Sequence, residues 1–520
     1  MKDLVPLLVG IPLGTAFLIA VLAHLKGVAR LTGLVATLAI AVNLFISIAL
    51  WAAVLAQPDA AEPIWAGNWD GAGVPIGIEL VCDGLARLMV ITVNMVAMAA
   101  IIYAAAYMKR FTTLWLFHAL FLLMTGAMNG VVLSGDLFNM YVFIEVAAIA
   151  SYGLVAFGTE SQELEAAFKY MVLGVLASTF ILIGIAVLYA LTGQLNIRQV
   201  AAGLAAAGRN WAALFAAVCL VGGLSLKAAM VPFHAWLPDA HPSAPAPISA
   251  MLSGVLIKAA GVYALARVVF TVFGGTPQCG QIANVLILLG TLSMVLGVFL
   301  AVGQWDFKRL LAYHSISQMG YVVLALGVAA AVAARGGDKA IASVCLLGGL
   351  FHMFNHAAFK SLLFLSSGSI EQATGTRNLK EMGGLARQMR VTSFCCRVGA
   401  LSIAGVPPFN GFFSKLIIVI GVAMAGYPVL AALAALVALM TLLSFVKVQR
   451  YALEGQPAPG RTPARESPWL MGVGMGILTL VCLLAGVACW PLKQYLFDPA
   501  GNALLRGVVS AARLAMGGTP

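Results

Sequence analysis

Apolar residues fall into fourteen long stretches along this chain, near 4–23, 31–56, 80–107, 112–133, 136–157, 166–192, 211–232, 246–273, 281–303, 309–333, 341–367, 393–424, 427–449 and 467–491, with short polar connections between them. A helix that crosses a bilayer needs roughly 20 mostly apolar residues. The pattern therefore predicts an all-α polytopic membrane protein with about 14 transmembrane helices. The first stretch resembles a signal peptide in position only: its start pairs Lys2 with Asp3, its apolar run is long, and Lys26 and Arg30 follow it. We read it as a retained helix.

Two stretches are interrupted. The seventh reads 224-LSLKAAMVPF-233 and the twelfth 401-LSIAGVPPFNGFFSK-415, a shared Leu-Ser-aliphatic start running into proline and then phenylalanine. Proline removes an amide donor and clashes with the preceding turn, so both helices are expected to break there. Carbonyls freed at membrane depth persist only where protein or water satisfies them. The breaks lie an odd number of spans apart, so the two segments cross in opposite directions. That is the signature of an inverted repeat, spans four to eight against nine to thirteen, with a transport site near the midplane. Packing kinks are the blander reading, and the pattern alone leaves it open. The expected division is residues 1–110 for the first three helices, 111–275 for the first five-helix repeat, 276–450 for the second, and 451–520 for a loop, the last helix and a tail. A second echo, AAFK at 166–169 and 357–360, falls at different depths in its two spans and carries little.

Composition agrees: 62% of residues are hydrophobic and 9% charged, against about 25% charged in soluble domains. The net charge of +11 suggests nucleic acid at first sight, but the basic residues are spread over the connections, and topology explains them better. Connections after odd-numbered spans hold 15 Lys and Arg and the other side nine, which puts the odd connections in the cytoplasm and both termini outside. The loop 57–79, with Asp59, Glu62, Asp70 and Glu79 and no Lys or Arg, fits an outer position. Eight cysteines without CxxC or CxxxH spacing read as small core residues, and no metal or cofactor is expected.

Six basic residues remain unplaced by this count: Arg87, Lys227, Lys258, Lys360, Arg397 and Lys415. A lysine at a helix centre costs roughly 2.5–3.5 kcal/mol on insertion, and such residues usually face the bundle interior. Glu145, in 136-DLFNMYVFIEVAAIASYG-153, is the only acidic residue well inside a span and the natural counter-charge for Lys227. Opposite charges about 4 Å apart attract by roughly 4 kcal/mol at an effective dielectric near 20. Pairing holds the amine charged and separation favours its neutral form, which makes a proton switch. A static ion pair locking two helices fits one pair equally well; three buried lysines beside one carboxylate favour the switch. In 351-FHMFNHAAFKSLLF-364, His352, His356 and Lys360 stand four apart on one helical face, and 311-LAYHSISQMGY-321 adds His314, Ser315, Ser317 and Gln318. A proton relay ranks first for these, helix packing second, and haem ligation by His352 and His356 third. His234 and His241 lie in the proline-rich connection, at a mouth or a hinge. Asp136 and the group Glu160, Glu163, Glu165 and Lys169 read as interface charges, with Glu165 and Lys169 a helical pair.

These stretches, with KAAMVPFHAWLPDAH, PAPISAMLSGVLIKAAGVYAL, DFKRLLAYHSISQMGY, LFHMFNHAAFKSLLFLSSG and GVPPFNGFFSK, resemble the antiporter-like membrane subunits of Mrp-type sodium/proton antiporters, membrane-bound hydrogenases and respiratory complex I, from about residue 80 to 450. The resemblance implies a proton-translocating subunit with two inverted five-helix repeats. Carried over, the coupling pair falls on Glu145 and Lys227, the eighth-helix lysine on Lys258, the eleventh-helix histidine on His356 and the twelfth-helix ionisable residue on Lys415; His314, Ser315, His352, Lys360 and His234 are possible relays. A lysine at 415 and the YHSISQMGY run look most like the D-type chain of Mrp antiporters or its relatives in hydrogenase complexes. The resemblance implies partner membrane subunits, protons and sodium as the transported ions, and a bacterial or archaeal plasma membrane. Rivals are a redox-driven pump subunit, an intramembrane haem or quinone enzyme, and a purely structural subunit.

Overall fold

The computed structural model describes residues 2–23, 25, 31–56, 64–65, 77–456 and 463–515. The connection residues Lys26, Arg30 and Arg461 and the outer-loop acids Asp59, Glu62 and Asp70 lie outside the described residues. Apart from a two-residue strand pair at 64–65 and 79–80, the regular structure of the described residues is helical: α1 (Leu7–Leu22), α2 (Thr32–Ala56), α3 (Gly84–Tyr107), α4 (Leu114–Leu133), α5 (Leu137–Val155), α6 (Ser161–Thr192), α7 (Ile197–Ala207), α8 (Trp211–Lys227), α9 (Leu237–Ser243), α10 (Ala246–Val272), α11 (Cys279–Val302), α12 (Phe307–Ala334), α13 (Lys339–Thr374), α14 (Arg390–Ala404), α15 (Asn410–Met424), α16 (Pro428–Glu454), α17 (Trp469–Val487) and α18 (Asp498–Ala515). Among the described residues eleven of these are long and apolar enough to cross a membrane, and α1, α8 and α15 are shorter apolar helices. The chain is a multi-pass integral membrane protein. Spans seven and twelve are each split, into α8 and α9 about residues 228–236 and into α14 and α15 about 405–409.

The inverted repeat has a structural marker at each end. Asp136 caps α5 and bridges Asn196 in antiparallel fashion; Asp306 caps α12 and bridges Asn378 in the same way. The backbone bonds match: Leu137 donates to Leu195 and Ile197 to Gly135 (3.0 and 2.9 Å), while Phe307 donates to Arg377 and Leu379 to Trp305 (both 2.9 Å). The sequences are 192-TGQLNI-197 and 374-TGTRNL-379, in which Gly193 (φ 66°) and Gly375 (φ 70°) end α6 and α13 in the left-handed conformation that glycine adopts at least cost.

Small residues set the tightest packing. A side chain at Gly290, Gly297 or Gly320 would collide with the facing backbone at 2.5, 2.6 and 2.3 Å, so α11 and α12 lie almost in backbone contact. The outer faces of α6, α11 and α16 carry exposed Phe168, Leu176, Leu288, Leu439 and Leu443, as a lipid-facing surface requires. Two basic residues resolve as structural pairs. Arg267, counted above among the outer charges, is buried in a bidentate contact with Asp83 (2.6 Å each), and Arg397 pairs at the exposed surface with Glu454 (3.0 Å). Glu165 and Lys169 form the expected i,i+4 pair at 2.7 Å. His241 is fully buried and His234 partly so.

Candidate functional site

Lys227 is the last residue of α8, where the helix gives way. Ala229 adopts a left-handed conformation (φ 54°), and Pro232 follows. The indole of Trp236 donates to the Leu226 carbonyl (3.1 Å), and the Val231 amide donates to Ser293 Oγ (2.8 Å), so part of the freed backbone is satisfied by side chains. Trp236 is fixed by stacking on Tyr170, with ring centroids 4.3 Å apart and 11° between planes. Lys227 is thereby left to Glu145 on α5: its Nζ donates to Glu145 Oε1 at 3.2 Å, and Ser178 Oγ donates to the same oxygen. The lysine side chain is 7% exposed and the glutamate 25%, so the acid faces the edge of the chain while the base is enclosed.

A cavity of about 10 Å³, room for about one water, lies between Lys227 and α10, against Leu256, Ile257 and Ala260. Lys258 follows on the same helix. The turns from Leu252 to Tyr263 are wound in the wide π manner, often seen at functional sites, and Lys258 Nζ donates to the Ser253 carbonyl five residues back (2.6 Å). Ser253 Oγ lies 2.7 Å from Ser315 Oγ, which connects α10 to α12.

On α13, His356 is fully buried and neither ring nitrogen has a hydrogen-bond partner; Lys360 is buried with its amine likewise open and 5.8 Å from the Phe364 ring. His352 is fully engaged, Nδ1 with Ser414 Oγ (2.9 Å) and Nε2 with Gln318 Oε1 (3.2 Å). His314 lies to one side, Nε2 on Ser444 Oγ at 2.8 Å.

The second break ends this row. Lys415, on α15, donates to the Ile403 carbonyl (2.7 Å), freed where α14 stops at Gly405 (φ 79°), and its ammonium sits 5.3 Å from the Tyr321 ring centroid. Asn355 and Asn410 exchange hydrogen bonds across the same break, each 3.0 Å. Glu145, Lys227, Lys258, Ser315, His356, His352 and Lys415 thus occupy adjoining helices between the two breaks. His314 and His234 stand outside this row; His234 lies in the break, its Nδ1 without a partner.

Sequence reasoning missed Ser178 and the Trp236–Tyr170 staple, and it placed His241 at a mouth or hinge without linking it to the row. His241 has both nitrogens open and its ring 4.8 Å from Phe364. Trp236 was visible as a tryptophan four residues past the break proline, a position that can reach back to the freed carbonyls.

Comparison with known proteins now has a geometry to meet. The family described as NADH:quinone oxidoreductase/Mrp antiporter, transmembrane, matches residues 134–441, the stretch that holds both breaks and every charge just described. The chain is 36% identical to the N-type membrane chain of the NADH-quinone oxidoreductase of Desulforudis audaxviator, covering 89% of each chain, and 32% identical to the D-type chain of the Na(+)/H(+) antiporter of Alkalihalophilus pseudofirmus, covering 84% of this chain and 85% of that one. A chain in the structure of the Mrp complex from Dietzia sp. superposes with a TM-score of 0.87 at 28% identity, covering 99% of both. With its repeats, broken helices and matched stretch, this chain belongs to the NADH:quinone oxidoreductase/Mrp antiporter membrane-subunit family.

Proposed function

We propose that this chain is the proton-translocating subunit of a multi-subunit monovalent cation (sodium)/proton antiporter, working beside other membrane subunits in a bacterial or archaeal plasma membrane with both termini outside. One observation carries the reading: a lysine at the end of a broken helix is ion-paired to the carboxylate of another helix and heads a row of buried amines and imidazoles that ends at a second broken helix. In the paired state Glu145 holds the Lys227 ammonium. When the pair opens, the desolvated amine releases its proton toward Lys258, and His356, His352 and water carry it to Lys415. Residues 111–275 and 276–450 are the two halves of this path. The sodium named for relatives enters as the driving cation.

The test is proton movement in everted vesicles from antiporter-deficient cells expressing the whole gene cluster, with sodium added after a pH gradient forms. Sodium should collapse the gradient for wild type and not for Lys227→Ala at equal complex abundance; full activity in that variant would sink the assignment of Lys227. A second reading, a redox-driven pump subunit, is favoured by the 36% identity to a quinone oxidoreductase chain over 89% of this one. An absent sodium response in wild type, together with electron-carrier genes in the cluster, would select it.

A further inference from the structure

A polar cleft of about 660 Å³ opens on the side of the odd-numbered connections, between the loop 158–163, the loop 242–245 and the bridge of Asp306 with Asn378. At its floor Lys308 is 3% exposed and lies 2.9 Å from Glu371 Oε2. The Lys308 amine also donates to the Ala244 carbonyl (3.3 Å); Ser249 Oγ lies 3.2 Å from the same carbonyl and nearest the His241 carbonyl (2.8 Å). Arg377 clamps the loop from the other side through the Pro242 carbonyl (2.6 Å). Beneath the loop is His241, with both nitrogens open, and His241 and Lys360 meet the same Phe364 ring at 4.8 and 5.8 Å.

The inverted repeat supplies an internal control. Aligned on the two bridges, Lys308 corresponds to Phe138 and Glu371 to Tyr189, which are 45% and 53% exposed. Both copies form the same backbone bridge, and Gly193 and Gly375 donate equally to Tyr189 and Glu371 (2.8 Å each). The architecture therefore does not need charge at either position. At these two positions an acid and a base occur only in the copy that faces the polar cleft on one side and an open imidazole on the other.

We propose that Lys308 and Glu371 form a proton-loading pair, through which protons pass between the water of this cleft and His241, and from there to Lys360. The Glu371 carboxylate takes a proton from cleft water, Lys308 relays it past the Ala244 carbonyl, and the imidazole accepts on one nitrogen and releases from the other. This rests on the reading that the chain moves protons. The groups facing the pair are Glu163 and Arg110 across the cleft, Asp306 and Arg377 beside it, and His241 below.

The test uses the intact complex in everted vesicles, with Glu371→Gln, Glu371→Asp and Lys227→Ala measured together. Removing a proton-transfer group typically lowers rate about 10²–10⁴-fold. Glu371→Gln should therefore lower sodium-driven proton flux at least about tenfold at equal complex abundance, with Glu371→Asp restoring most of it. Flux unchanged in Glu371→Gln, or equally reduced by Gln and Asp as a packing role would give, overturns the loading pair. In a second measurement Ser243→Cys, at the cleft wall, should react with a membrane-impermeant thiol reagent in everted vesicles and not in right-side-out cells. No labelling from either side overturns a water-open cleft. If wild type shows no sodium-driven flux, the parent reading fails; if Lys227→Ala alone loses flux, only the loading pair does.

Discussion

The two broken helices begin alike, LSL at 224–226 and LSI at 401–403, and at each the carbonyl of the third residue takes a side-chain donor, Leu226 in addition to the Ala229 amide (3.0 Å). They satisfy it with different chemistry. At the first break the Leu226 carbonyl takes the neutral indole of Trp236, and the nearby lysine is left to a carboxylate. At the second, the Ile403 carbonyl takes the Lys415 amine itself, and no acidic side chain pairs with Lys415 among the described residues. A charge held by a carboxylate responds to movement of the carboxylate's helix, because Coulomb attraction between full charges is strong and long-ranged. A charge held by a backbone carbonyl and a ring face responds to the shape of the break. In the proposed mechanism the first site is the one switched from outside the chain, through the partly exposed Glu145, and the second couples a proton to backbone geometry.

The difference predicts unequal losses. Lys227→Ala removes the switched charge and leaves the break stapled, so the complex should assemble and thermal stability should change little. Transport should fall by about 10² or more, the usual cost of losing a proton-transfer group. Lys415→Met removes both the cation and the staple. It should lose transport and also destabilise the chain by about 1–3 kcal/mol, the cost of an unsatisfied buried carbonyl, read as a lower unfolding temperature in detergent. Equal stability of the two variants would erase the proposed distinction. Trp236→Phe is the complement: it keeps Lys227 and Glu145 and leaves the Leu226 carbonyl with the Ala229 amide alone, so stability should fall by only the ~0.5–1.5 kcal/mol of one net hydrogen bond while transport persists.

The elements that were legible in the sequence are those whose signal is local. Apolar runs gave the spans, and proline after a Leu-Ser-aliphatic start gave the breaks. Glu145 and Lys227 stand out because an ionised group inside a span has few bland explanations. What stayed hidden depends on which surfaces the fold brings together. Lys308 sits at the second position of α12 and reads as one more basic connection residue; only the cleft floor encloses it. Arg267 reads as an outer charge for the same reason, and Asp83, 184 positions away, converts it to a buried pair. The TGQLNI and TGTRNL motifs were in plain view, but six residues with three identities become evidence of a repeat only when each closes the same bridge.

Ser178 sharpens the comparison at its finest point. Its hydroxyl has one proton and two acceptors, Glu145 Oε1 and the Gly174 carbonyl at 2.9 Å. When the proton points to Glu145, the hydroxyl shares Oε1 with Lys227 and supports the carboxylate; when it points to Gly174, the ion pair stands alone. The hydroxyl is therefore an adjustable second hold on the acid, with no counterpart at Lys415, which has no acid to hold. A net hydrogen bond contributes about 0.5–1.5 kcal/mol, so Ser178→Ala should slow sodium-driven proton flux by roughly 2- to 10-fold, and Ser178→Thr should restore it. A loss as complete as that of Lys227→Ala would mean that the hydroxyl, not the lysine, sets the state of Glu145. The first break would then not be switched by an ion pair at all.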